Sequence, residues 1–173
     1  MLQLYEVRGE DVEFRPSPCC WRIRMALAHK GLAFEPVPWC AVEKERIARS
    51  GGGTVPVLVD GDKWTRESWD IALYLETAYP GRPALFDCDG DRTKSFFLDA
   101  WITNVVHPVM ARTVLLDQYP LLAAKDRSYD RERTKQKFGV SLKNMCHDPD
   151  GGIEQLRGIL SPFQLTLDRS NWM

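Results

Sequence analysis

The amino-acid sequence predicts an α/β domain of element order β-α-β then β-β-α, continued by an all-α segment. Three observations carry this expectation. A sharply bounded helix, "SPCCWRIRMALAHKG", lies between two apolar strand patterns; "VLVDGDKW" reads as a hairpin leading into a second capped helix; and from Arg92 onward the apolar spacing is helical.

The elements follow in chain order. "LQLYEV" is the first strand. Ser17 is a favourable N-cap, Pro18 suits the first helical position because its missing N–H would be unpaired there anyway, and Gly31 is a good terminator. Ile23, Ala26 and Leu27 keep helical spacing, joined by the aliphatic stem of Lys30, while Arg22, Arg24 and His29 turn toward solvent or other elements. "LAFEPVPW" supplies a second strand with Phe34, Val37 and Trp39 as its apolar positions. Val57 to Val59 and Trp64 then flank an Asp60-Gly61 turn, the strongest short-range hairpin signal. Ser68 caps the next helix, which carries Ile71, Ala72, Leu75 and Tyr79 on one side and stops before Pro80 and Gly81.

Pro56 stands out, because a proline removes a ladder donor at the start of a core-bound strand. A cis Val55-Pro56 bond would turn the N–H and C=O of Val55 outward, where an extended peptide could pair with them as an added strand. A trans proline opening an edge strand is the alternative.

The composition of "YPGRPALFDCDGD" marks a linker at 83–91, between a first domain at 1–82 and a helical domain at 92–173. In "TKSFFLDAWITNVV", Phe97, Trp101 and Val105 form one stripe with Leu98, Ile102 and Val106 beside it, wide enough for a bundle helix. His107 before Pro108 reads as the end of that segment. "KDRSYDRERTKQKFGVSLKNM" mixes charges as a solvated helix does, and "IEQLRGILSPFQLTLD" is strongly apolar.

Composition narrows the function classes. The chain has 173 residues, 44% hydrophobic, with formal net charge -1, which suits one or two small globular domains. No signal-peptide pattern and no apolar run of membrane-spanning length is present, so the expected compartment is the cytoplasm. Five cysteines in a reducing compartment read as free thiols. Cys19, Cys20, Cys40 and His29 lack zinc-ligand spacing, so no metal is expected; near-neutral charge without a recognition motif argues against nucleic acid.

A helix N-terminus offers unpaired N–H donors and about half a positive charge, which stabilises a thiolate, carboxylate or phosphate placed there. Taken together and in order, "SPCCWRIRMAL", "TVPVLV" and "ESWDIALYLE" resemble the thioredoxin-like N-terminal domain of glutathione S-transferases. The first motif is similar to the zeta-class Ser-Ser-Cys-x-Trp-Arg-x-Arg pattern, and to the omega-class Cys-Pro pattern with serine for cysteine. The resemblance is closest to bacterial β-etherases of that superfamily and runs through "RPALF" and "LDAWITNVVHP" to "LSPFQLTLDRSNWM".

The resemblance implies a set of roles. Ser17 would hydrogen-bond the sulfur of glutathione. Val55, ahead of a cis Pro56, would pair with its cysteinyl backbone, and Glu67 and Ser68 would hold the γ-glutamyl end. A thiol near pKa 8.5 must fall by about two units to be mostly thiolate at neutral pH, roughly 2.7 kcal/mol. A hydrogen bond to a charged group supplies about 1.5 to 3 kcal/mol and a helix end up to about 2 kcal/mol, so the pair suffices without a metal or a base. The implied activity is attack of the thiolate on a small hydrophobic electrophile, with β-aryl ether cleavage as the finer form, in a homodimer. Trp39 and Lys44 are candidates for the glycyl end of glutathione, and Trp101, His107, Met110 and Arg112 for the electrophile pocket. The alternatives are thiol redox chemistry at Cys20, three residues after Ser17, and a non-catalytic glutathione-binding or interaction module. Relative to the family the helical domain reads as shortened.

Overall fold

The structure, a computed structural model, describes residues 1–169. The last four residues of "LSPFQLTLDRSNWM" lie outside them.

The first strand, β1 (Leu2–Val7), alternates buried and half-buried residues along its whole length. Helix α1 (Pro18–His29) follows, with Ser17 as its N-cap and Gly31 past its end at φ 62°, the left-handed conformation that glycine tolerates best. The second strand, β2 (Phe34–Trp39), runs parallel to β1. A 3-10 helix (Lys44–Ser50) leads on to the hairpin of β3 (Val57–Asp60) and β4 (Lys63–Arg66), and then to α2 (Ser68–Ala78). The sheet order is β2-β1-β3-β4, with β3 antiparallel to both its neighbours. This is the thioredoxin-like arrangement expected from the element order.

Two details around the hairpin differ from the sequence reading. Asp60 pairs with Lys63, so the two-residue hairpin loop is Gly61-Asp62, one place later than expected, with Gly61 supplying the positive φ. The N-cap of α2 is Glu67, and Ser68 is the first helical residue instead of the cap. Glu67 sits at φ 63°, ψ 128°, and that turn of the chain starts the helix one residue before the cap preference of Ser68 would.

One sheet face is closed by α1 and α2. Leu2 and Leu4 from β1, Leu58 from β3, Ile23 and Leu27 from α1, Leu32, and Ile71 and Leu75 from α2 form its core. Each such side chain contributes about 1.5–3 kcal/mol on burial. Lys30, expected to lend only its stem, is buried whole, and its Nζ is paired at 2.6 Å with Glu76 and donates to the Pro83 carbonyl. On the other face Ile47 of the 3-10 helix packs with Trp39, Val57 and Val59.

The chain forms two compact units, Met1–Phe96 with Leu121–Asp130, and Phe97–Pro120 with 131 onward. Residues 121–130 are tied to the loops that follow β1 and β2. Gly9 bridges Leu122, the Glu10 amide donates to the Leu121 carbonyl, and Glu10 Oε2 accepts from the Ala124 amide. Asp126 is buried and accepts from the amides of Ala41 at 2.8 Å and Val42 at 3.2 Å, while Lys125 pairs with Glu43.

Helix α3 (Asp89–Trp101) passes through a π-helical turn (Ile102–Val106) into α4 (His107–Gln118). The helix was expected to end at His107. It continues because Pro108, lacking an N–H and crowding the carbonyl four residues earlier, is absorbed by widening the turn. Helix α5 (Arg127–Phe138) buries only Thr134, in keeping with its mixed charge. A short α6 (Leu142–Met145) packs Leu142, Met145 and Cys146 against Leu115, Tyr119 and Phe138. Helix α7 (Pro149–Leu167) has no fully buried residue and exposes Ile153, Leu160, Leu165 and Leu167. Its internal Pro162 leaves the Gly158 carbonyl to accept from Ser161 Oγ. No described helix is long and apolar enough to cross a membrane.

Candidate functional site

The strand register gathers the expected residues at one end of the sheet. Val7 pairs with Trp39, Tyr5 with Val57, and Val57 with Arg66. Val55 and Pro56 lead directly into Val57, and Glu67 and Ser68 directly follow Arg66, so both pairs lie at that end of the sheet. The start of α1 is fastened to the same edge, since the Cys20 thiol hydrogen-bonds the backbone of Val7. Ser17, Val55, Pro56, Glu67 and Ser68 thus sit around the C-terminal end of β1, where the N-termini of α1 and α2 also open.

Ser17 is half-buried, and its Oγ accepts the Cys20 amide at 3.3 Å. The same side chain also hydrogen-bonds the Cys20 thiol. The first turn of α1 carries no acidic side chain to offset the positive helix end. The Val55-Pro56 peptide is cis, as one of the two sequence alternatives had it, and the β3 ladder begins only at Val57.

Glu67 is the one non-glycine residue among those described with positive φ. Such conformations cost about 1–3 kcal/mol and cluster at functional sites. Its carboxylate is 58% exposed and pairs with Arg66 at 3.3 Å. No side chain caps α2, which leaves its first-turn amides available to an anion.

Cys20 has no solvent exposure, and burial pushes its thiol up to about 11, against the pull of its hydrogen bonds to Ser17 and the Val7 backbone. Cys19 is half-buried. Trp39 is buried, with its indole N–H donating to the Glu43 carbonyl at 2.7 Å, so that group is committed within the fold. The exposed Lys44 carries its ammonium 4.8 Å from the Tyr129 ring centroid.

In the second unit, Trp101 stacks on Phe163 at 5.1 Å and helps line a cavity of about 440 Å³ with Phe97, Leu98, Val105 and Ile159. His107 and Met110 are half-buried and Arg112 is exposed; these three do not line that cavity. Among the described residues no cluster of three His, Cys, Asp or Glu could hold a metal ion.

The sequence reading missed Glu6, fully buried with Arg24 and Arg15 around it, and Asp126. A signal existed for Glu6: it follows Leu2 and Leu4 at the strand's period of two, on the core-facing side of β1. Asp126 gave none, because its partners lie more than eighty residues away in the chain.

Residues 12–83 match the family model described as glutathione S-transferase, N-terminal domain. Glutathione S-transferase Z1 of Arabidopsis thaliana is 39% identical over 74 residues, which are 40% of this chain and 34% of that protein. The solved glutathione transferase GSTFuA2 of Phanerochaete chrysosporium superposes with a TM-score of 0.83 at 27% identity, covering 97% of this chain and 73% of that one. CsGST63524 of Ceriporiopsis subvermispora, solved in complex with glutathione, has a TM-score of 0.80 at 22% identity, over 98% of this chain and 74% of that one. Residues 12–83 are thus similar to the N-terminal domain of glutathione S-transferases, and the fold is that of the solved glutathione transferases. The matched part of the chain spans about a third to a half of the length of its curated relatives.

Proposed function

We propose that this chain binds reduced glutathione at the end of the sheet and activates its thiol for attack on a small hydrophobic electrophile. The observation that carries the reading is the convergence of a serine-capped helix end, the backbone of Val55 and the uncapped start of α2 beside Glu67. Each part of the tripeptide finds a chemical complement there. The sulfur lies against the Ser17 hydroxyl and the positive end of α1, and the cysteinyl backbone pairs with Val55 as an added strand. The γ-glutamyl ammonium pairs with Glu67, and its carboxylate is held by Ser68 and the α2 amides. Residues 1–82 are then the glutathione-binding domain, 83–91 the linker and 92 onward the electrophile-binding domain, acting in the cytoplasm as a homodimer.

In the finer form of the reading the electrophile is a β-aryl ether: the thiolate attacks the ether carbon, a C–S bond forms as the C–O bond breaks, and the phenolate departs with the electron pair. The thiol-redox alternative is disfavoured by the burial of Cys20 and its raised pKa.

Calorimetric titration with reduced glutathione tests the reading. Saturable binding in the micromolar to low millimolar range, weakened by Glu67→Ala, is expected; no heat from folded protein over that range would sink it. Turnover of a generic electrophile that is lost in Ser17→Ala separates an enzyme from a binding module.

A further inference from the structure

The Trp-Arg-x-Arg part of the first helix motif has no task in the reading above. In the structure its outer members close a brace. Glu6 is the third core-facing residue of β1, and its side chain has no solvent exposure. Arg24 forks onto it, Nε to Oε1 at 2.6 Å and Nη2 to Oε2 at 2.7 Å. The same guanidinium lies 5.4 Å from the Trp21 ring and 5.7 Å from the Phe34 ring, which limits its movement. Arg15, with a side chain only 3% exposed, brings Nε to 3.5 Å from Glu6 Oε2 and donates through Nη1 to the Val12 carbonyl.

The brace ends next to Ser17. Trp21 Nε1 donates to the Arg15 carbonyl at 2.9 Å, so the residue two places ahead of Ser17 is held by α1 through its backbone and by β1 through its side chain. Stability alone does not account for this arrangement. A buried carboxylate loses several kcal/mol of hydration, and an apolar side chain at a core-facing strand position is often as stable as an ion pair or better. What a forked, ring-flanked guanidinium offers beyond that is geometry.

We infer that Glu6, Arg15, Trp21 and Arg24 are positioning residues that set the Ser17 hydroxyl and the first turn of α1 against the end of β1. The chemical consequence rests on the glutathione reading, because the placed hydroxyl acts on the thiolate. Two variants test it. Arg24→Lys keeps the charge and removes the fork; Trp21→Phe, at a half-exposed position, keeps the ring and removes the N–H. One readout is the pH midpoint of thiolate absorbance of glutathione bound to the whole chain. A second is amide hydrogen exchange at Cys20 and Trp21, whose N–H groups bond to Ser17.

Both variants are expected to raise the thiolate midpoint by about one unit, which is about tenfold less thiolate at pH values well below the midpoint. They are also expected to speed exchange at Cys20 and Trp21 by about tenfold, with no change in α2. An unchanged midpoint in both variants overturns the inference, even where global stability falls. If the unaltered protein binds no glutathione, the proposed function fails by itself and exchange decides: acceleration confined to the start of α1 supports positioning, while uniform or absent acceleration overturns it.

Discussion

Ser17 has two tasks at one atom. Its Oγ caps α1 by accepting the Cys20 amide, and its O–H is the donor assigned to a thiolate. The two tasks separate by substitution: Ser17→Ala should lower unfolding stability by about 1 kcal/mol and Ser17→Gly by only a few tenths, read from urea denaturation, while both remove the donor. Glu67 presents the opposite balance. Glu67→Gly relieves an unfavourable backbone conformation and should stabilise the fold by about 1 kcal/mol in the same measurement while weakening glutathione binding. Cys20, with its thiol near 11, should resist alkylation at pH 8 in the native protein, whereas the exposed Cys88 is modified first; peptide mass spectrometry after timed labelling distinguishes them.

Between elements, the contacts of residues 121–130 are expected to respond to pH. Burial raises the Glu43 carboxyl, but hydrogen bonds from Lys125, Arg46 and the Cys40 amide outweigh it and bring the carboxyl to about 2 from an ordinary 4.5. A carboxyl lowered in the folded state contributes stability that is complete above its unfolded pKa and is lost as pH falls through its folded one. Exchange of the Ala41 and Val42 amides, which Asp126 holds, should therefore quicken between pH 4.5 and 2, and Glu43→Gln should weaken that dependence. Two glycines of α7 make a second contrast. A Cβ on Gly152 would clash with Thr113 Oγ1 of α4, whereas one on Gly158 would meet nothing. Gly152→Ala should cost about 1–3 kcal/mol by overpacking, and Gly158→Ala should gain about 0.5–1 kcal/mol from helix propensity, both read as shifts in thermal midpoint.

Over the whole molecule, the first compact unit is assembled from two separate stretches of chain. Most of its fold was legible in the sequence. Alternation in "LQLYEV", the caps of α1 and the spacing around Asp60 and Gly61 are local signals, and each names its element within a residue or so. At the candidate site the local signals were the cap preference of Ser17 and the proline after Val55, whereas Glu67 was singled out by the resemblance and not by turn or cap chemistry. Illegible were the interactions between distant residues, such as Asp126 with the loop after β2, Lys30 with Glu76, and the two arginines around Glu6.

The sequence by itself determined the order of elements in the first unit and the chemical types at the mouths of α1 and α2, since these follow from backbone hydrogen bonding and side-chain periodicity over a few residues. Only the tertiary structure decided that Glu67, not Ser68, is the N-cap of α2, that the helix passes through Pro108 unbroken, and that charged side chains lie inside the first unit. Burying a charge requires a partner brought from elsewhere in the chain, and no local pattern specifies which one arrives.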